Sequence, residues 1–421
     1  MRILLRQAHV YDTQSKHHNT KKDILIDKGV IQKVAKKITD SKAKVISSEN
    51  LCVSIGWVDL GTYTGDPGYE YREDLESATR AAARGGYTGI VTLPNTKPTV
   101  HSKSEVSYIL NKTKDALVKC YPLGAVSMNT EGVDLAEMYD MHSTGAVAFT
   151  DGRQAIQNGG LMLRGLLYCK RIKGLIINRP HDRSIAADGH MNEGVNSTSM
   201  GMKGIPAIGE NLMLQRDIAL TKYADSRYHA MHISSSRSVD IVKQAHKEKL
   251  DVTTSVAYLN LIATDDSLLT FDTSYKVLPP LRLESDRKAL VKGIKDGTIS
   301  VISANHVPVD NDNKIIEFSS AKFGASGLET CFAALNTHLD KSITLEKLVN
   351  RLSKGVRELL NLDQPKIQKG EPADMTIFDP SSDIQIGRAD FRSKSSNSPF
   401  AGKALKGQVL GVVRGKQAEL F

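Results

Sequence analysis

The chain has 421 residues, 40% of them hydrophobic, 24% charged and 5% aromatic. That apolar fraction excludes a disordered chain, and 13 Pro with 32 Gly excludes collagen-like or low-complexity architectures. The 56 Lys and Arg exceed 47 Asp and Glu to give a formal net charge of +9, spread along the chain. Such an excess reads as solvated surface rather than as a nucleic-acid footprint.

The opening stretch has an apolar run of only three residues, Ile3-Leu4-Leu5, too short for a signal-peptide core. No later stretch approaches the ~18 apolar residues of a spanning helix. Cys52, Cys120, Cys169 and Cys331 lie far apart without a CxxC pair, as expected for buried thiols of a reducing compartment. The expectation is a cytoplasmic protein that binds neither membrane nor nucleic acid.

Taken in order, the first elements are β-formers between turns: Ile3-Leu4-Leu5, His9-Val10-Tyr11, Asp23 to Asp27 and Val30 to Val34, with Lys28-Gly29 as a hairpin signal. A β-rich tail follows at the other end, Asp374 to Asp379 and Gln408 to Val413. The middle alternates short apolar strands with helical patterns. Glu73 to Arg84 is rich in helix formers and precedes Ile90-Val91-Thr92-Leu93. Ala146 to Phe149, Gly174 to Ile177, His229 to Ile233, Val252 to Val256 and Ser300 to Ser303 keep the rhythm. About eight strand–helix units fit an α/β fold of the (β/α)8 TIM-barrel kind. A doubly wound sheet is the runner-up, but no GxGxxG follows any strand. The expected domains are 55–364 for the barrel and a small β-sandwich domain from both termini, 1–54 and 365–421.

In a barrel, chemistry sits where strands end and βα loops begin. Five such places stand out: Gly56 to Gly68, Leu93 to Pro98, Phe149 to Gly152, His229 to His232 and Ser303 to Pro308. Here the chain resembles the dihydroorotases of the amidohydrolase superfamily, nearly end to end. The likeness is carried by Asp66 to Asp74, Thr79 to Gly86, Pro94 to Pro98, Met191-Asn192-Glu193-Gly194, Leu278 to Arg282, Phe323 to Thr330 and Gly370 to Asp374. It implies a zinc-dependent amidohydrolase barrel that interconverts carbamoyl aspartate and dihydroorotate in pyrimidine synthesis.

The resemblance also implies site residues, and many are replaced. The family's first strand ends in His-x-His; the matching positions are Gly61 and Tyr63, which cannot act as a neutral imidazole. The arginine that holds the substrate carboxylate falls on Gly65. A third metal-binding histidine aligns with Arg179, whose guanidinium cannot coordinate zinc. The fourth is kept as His232. The catalytic aspartate is Asn305, an amide without a basic site for proton shuttling. His306 follows it, while the last histidine of that motif is Val309 and a substrate-holding asparagine is Leu278. Asp151 and Asn95 match a metal-associated aspartate and a substrate contact.

Losing metal, carboxylate and proton-transfer groups together implies a catalytically inactive homologue that needs no cofactor and no metal. Inactive dihydroorotase homologues serve as subunits that support aspartate transcarbamoylase, so a scaffold or assembly role and a homodimer are expected by analogy. Two readings of Arg179 stand side by side: it reaches toward Asp151 in the old metal pocket, or it is a surface loop arginine. A single-metal site from Asp151, His181, His232 and His306 is the alternative that would keep zinc. With it goes an active dihydroorotase, or another cyclic amidohydrolase, with an atypical site. A small-molecule sensor using the emptied pocket is the third reading.

Overall fold

The computed structural model describes residues 2–186 and 188–421. Residues 1 and 187, which belong to the expected terminal domain and barrel, lie outside that description. Parallel strands Trp57–Thr62, Tyr87–Thr92 and Lys119–Pro122 pair in order. Ile176–Asn178, Tyr228–Ala230, Val252–Ala257 and Val301–Ser303 form a second parallel run. Phe149 joins the two runs by bridging Gly124 on one side and Ile176 on the other. The ring closes where Ser303 Oγ donates to the Leu60 carbonyl at 2.7 Å and the Ala304 amide donates to Asp59 Oδ1 at 2.7 Å. The result is a (β/α)8 barrel.

Strand side chains alternate as the pleat demands. Val58, Leu60, Val91, Leu123 and Ile177 belong to an inner cluster, whereas Trp57, Ile90 and Ile176 belong to the larger core shared with the helices. The helix Leu75–Arg84 starts on a capping box: the Ser77 amide donates to Asp74 Oδ1 at 2.7 Å, and Ser77 Oγ accepts from the Asp74 amide at 3.1 Å. It buries Ala78, Ala81 and Ala82, small residues that let the helix approach the strands closely. The last long helix, Leu345–Leu359, buries Leu348, Val349, Leu352 and Val356, one face of a 3.6-residue period.

Both chain ends build one mixed sheet. Arg2–Tyr11, Lys21–Asp27, Val30–Ala35, Lys44–Ile46 and Cys52–Ile55 join Asp374–Gln385, Ala404–Arg414 and Gln417–Leu420. Asp27 pairs with Val30, so Lys28-Gly29 is the two-residue hairpin turn. Ile3, Leu5, Ile24, Ile26, Val53, Met375 and Ile377 share a core of their own. Arg357 ties this sheet to the barrel, donating to Asp374 Oδ2 at 2.8 Å and to the Gly56 carbonyl at 3.1 Å. All four cysteines are buried and free. Among the described residues no helix is long and apolar enough to cross a membrane.

Candidate functional site

A cavity of about 590 Å³ opens at the C-terminal ends of the barrel strands, where a barrel carries its chemistry. Its walls come from successive strand ends: Tyr63, Asn95, Arg153 and Arg179, then Lys276 and Leu278, then the loop ending at Phe323. Of the residues expected at the site, Tyr63, Asn95, Arg179 and Leu278 line it. Gly61, Gly65, Asp151, His232, Asn305 and Val309 are not among its lining residues.

Gly61 sits at φ +86°, and a side chain there would press on Met231 Sδ at 3.2 Å. Tyr63 is buried and its ring lies 5.5 Å from the Arg153 guanidinium carbon. Asp151 is buried behind the cavity lining. It accepts from the Val126 amide at 3.0 Å, the Ser127 amide at 2.9 Å and Ser127 Oγ at 2.6 Å. Burial raises its pKa, and these bonds oppose the rise.

The expected pairing of Arg179 with Asp151 is therefore corrected. Backbone amides and a hydroxyl satisfy the carboxylate, while Arg179 Nη2 donates to the Arg153 carbonyl. The surface-loop reading is corrected too, because Arg179 forms part of the cavity wall. Burial, then repulsion from Arg153, pushes its pKa down to about 10. Its Nε is shut off from solvent with no hydrogen-bond partner among the described residues.

His232 lies just past the end of its strand at φ +59°, a left-handed conformation uncommon outside glycine. Its Nε2 is buried without a partner among the described residues. Burial, with a further contribution from Arg179, drives its pKa down to about 3. His229 is occupied otherwise, with Nδ1 2.8 Å from Thr253 Oγ1 and Nε2 3.0 Å from Ser255 Oγ. His306 spends both nitrogens away from the mouth: Nε2 is 3.2 Å from Glu73 Oε2, and Nδ1 accepts from the Gly327 amide at 3.2 Å. His181 is half-buried and its pKa falls to about 4 through burial and the nearby Arg179.

Of the four donors of the alternative single-metal site, Asp151 and His306 are thus engaged by other partners, and His232 Nε2 is left without one among the described residues. Among the described residues no group of three or more His, Cys, Asp or Glu side chains is arranged to hold a metal ion. A protein zinc site needs three or four such donors. His232 is one, and its neighbour Arg179 is a cation that opposes another. These residues do not fit zinc.

The expected substrate positions are equally changed. Gly65 sits at φ +67°, and a Cβ there would lie 2.7 Å from the Glu73 carbonyl oxygen and 2.8 Å from that of Tyr69. Asn95 braces a neighbouring loop rather than its own turn: Nδ2 donates to the Asp151 carbonyl at 3.0 Å and Oδ1 accepts from the Arg153 amide at 2.7 Å. Asn305 Nδ2 donates to the Leu278 carbonyl at 3.1 Å. Val309 is buried, its amide donating to Asn397 Oδ1 at 3.3 Å and its carbonyl accepting from Ser395 Oγ at 2.6 Å.

Sequence reasoning missed the cations of the wall. Among the described residues, Arg72, Arg153, Lys276 and Lys322 line the cavity with Arg179, against one lining carboxylate, Asp188, whose side chain is 90% exposed. Arg153 follows Asp151-Gly152 directly, and Arg72 lies inside the Asp66 to Asp74 stretch, so both were visible as loop arginines at strand ends. Lys276 is buried, donating to the Phe318 carbonyl at 2.6 Å, and burial lowers its pKa to about 8.

A profile of the Dihydro-orotase-like family matches residues 51–238. The chain is 37% identical over 411 residues to a dihydroorotase of Ruminiclostridium cellulolyticum, covering 97% of this chain and 96% of that protein. It is 37% identical over 410 residues to one of Acetivibrio thermocellus, with the same coverage. Among solved structures, an L-hydantoinase from Arthrobacter aurescens superposes with a TM-score of 0.85 at 23% identity, over 100% of this chain and 97% of that one. A dihydropyrimidinase from Brevibacillus agri gives 0.80 at 20% identity, over 99% and 96%. The hydantoinase likenesses show the amidohydrolase-type barrel with its β domain, and the identity to dihydroorotases over nearly the whole length shows that this chain belongs to the dihydroorotase-like family.

Proposed function

We propose that this chain is a dihydroorotase-like protein of pyrimidine biosynthesis that does not hydrolyse cyclic amides and acts as a non-catalytic subunit, with aspartate transcarbamoylase as its partner and a second copy of itself in the assembly. One observation carries the non-catalytic part: the barrel mouth presents five Lys and Arg side chains where a hydrolase of this type needs converging neutral imidazoles and carboxylates. No metal is required for this role. The partner rests on analogy within the family.

A second reading has an observation in its favour. The relatives at 37% identity over 97% of the chain are named dihydroorotases, which supports an active enzyme working through an atypical site. Assaying dihydroorotate hydrolysis with zinc added, together with co-sedimentation with aspartate transcarbamoylase, separates the two. No turnover with stable co-sedimentation is expected. Turnover well above a heat-denatured control, abolished by His232→Ala, would establish the active enzyme instead.

A further inference from the structure

The cavity at the barrel mouth carries more positive charge than its own walls can neutralise. Arg153 has no carboxylate partner among the described residues: one guanidinium nitrogen donates to the Phe323 carbonyl at 3.3 Å, and the group lies over the Tyr63 ring. Arg179 donates to a carbonyl and leaves Nε buried without a partner among the described residues. Arg72 is ion-paired with Asp310 at 3.4 Å, a carboxylate outside the cavity wall. The lining carboxylate among the described residues, Asp188, lies 3.8 Å from Lys203 and is exposed. Like charges held together in a partly desolvated pocket repel, and a bound anion relieves both the repulsion and the unmet donors.

The geometry points to a binding site for a phosphorylated small anion carrying at least two negative charges. Guanidiniums present forks of N–H donors that match phosphoryl oxygens two at a time, and several cations in one cavity favour a ligand of matching multiple charge. A carboxylate anchored as in a hydrolase of this family fits worse, because Gly65 leaves no room for an anchoring side chain and Leu278 and Val309 supply no side-chain donor. A volume of about 590 Å³ admits a metabolite of drug-like size.

This extends the reading of the mouth as non-hydrolytic, and the test keeps the two apart. Isothermal titration of the full chain with inorganic pyrophosphate, at about 0.15 M ionic strength, is expected to give saturable one-site binding. Succinate, a dicarboxylate, is expected to bind at least about tenfold more weakly, and Arg179→Met to weaken pyrophosphate about tenfold, or about 1.4 kcal/mol. Should Arg179→Met fail to fold, Lys322→Ala, which alters an exposed lining side chain, takes its place and is expected to weaken binding by about threefold or more. Absence of saturable binding, equal or tighter succinate binding, or an unchanged affinity in the folded variant overturns the proposal. Dihydroorotate turnover measured on the same preparations reports separately: turnover with pyrophosphate binding removes the non-hydrolytic reading alone, whereas neither binding nor turnover removes the anion site alone.

Discussion

The guanidinium of Arg179 donates to the backbone carbonyl of Arg153, so two cations from neighbouring strand ends share one wall of the barrel mouth. The Arg153 amide in turn donates to Asn95 Oδ1 at 2.7 Å. Three strand ends are thereby tied together through Asn95, Arg153 and Arg179.

Asp151 illustrates the consequence. Its carboxylate satisfies two buried amides and the Ser127 hydroxyl, so Asp151→Ala strands those donors. A loss of about 2–4 kcal/mol in urea denaturation is expected, with zinc content unchanged. A variant as stable as the parent, or a fall in bound zinc, would contradict this assignment.

At Gly65 the backbone is left-handed and the space for Cβ is filled by the carbonyls of Glu73 and Tyr69. Gly65→Ala is expected to cost more than about 2 kcal/mol. Gly65→Arg, which would restore the family's anchoring residue, is expected to unfold the mouth rather than create an anchor. A folded Gly65→Arg protein with the parent's urea midpoint would sink this explanation.

Glu73 and His306 form a buried pair at 3.2 Å, and Glu73 also accepts from Ser77 Oγ, from Ser393 Oγ and from the Lys394 amide. The carboxylate thus fastens the stretch after residue 392 to the first barrel helix. Glu73→Ala leaves His306 and the other donors without their acceptor, and a loss of about 3–5 kcal/mol is expected. Limited proteolysis should then cut near Ser393 first; unaltered protection there counts against the fastening role.

His229 and His232 have pKa values lowered to about 3, chiefly by burial. Their unfolded values lie near 6.5. Between those limits the unfolded chain binds protons that the folded chain does not, so stability is full above about pH 6.5 and falls as pH drops toward 3. Each contributes a slope of the order of 1 kcal/mol per pH unit in that window. His232→Gln is expected to flatten the pH dependence of the urea midpoint between pH 6.5 and 5; an unchanged slope would show that the imidazole is not buried neutral.

Much of the fold was legible because it follows from period and punctuation. The alternation of Ile24 and Ile26, the Lys28-Gly29 turn, the helix formers up to Arg84 and the apolar runs before each strand end all act locally. The run Ala146 to Phe149 is shorter in the structure than its composition suggests, since Phe149 alone makes bridges there. At the site, the positions Gly61, Tyr63 and Arg179 could be named from the sequence, but the directions of side chains in loops could not. Asp151 turns toward Val126 and Ser127, residues of another loop, and no pattern near position 151 encodes that choice. The cationic wall was missed for the same reason: Arg72, Arg153 and Lys276 come together only when the ring closes.

Zinc content is the most direct measure of whether the barrel mouth can grip a cation. Protein produced with zinc supplied, then dialysed against metal-free buffer, should carry well under one zinc per chain by plasma mass spectrometry, and His232→Ala should leave that value unchanged. One or two zinc ions per chain, lost in His232→Ala, would contradict it.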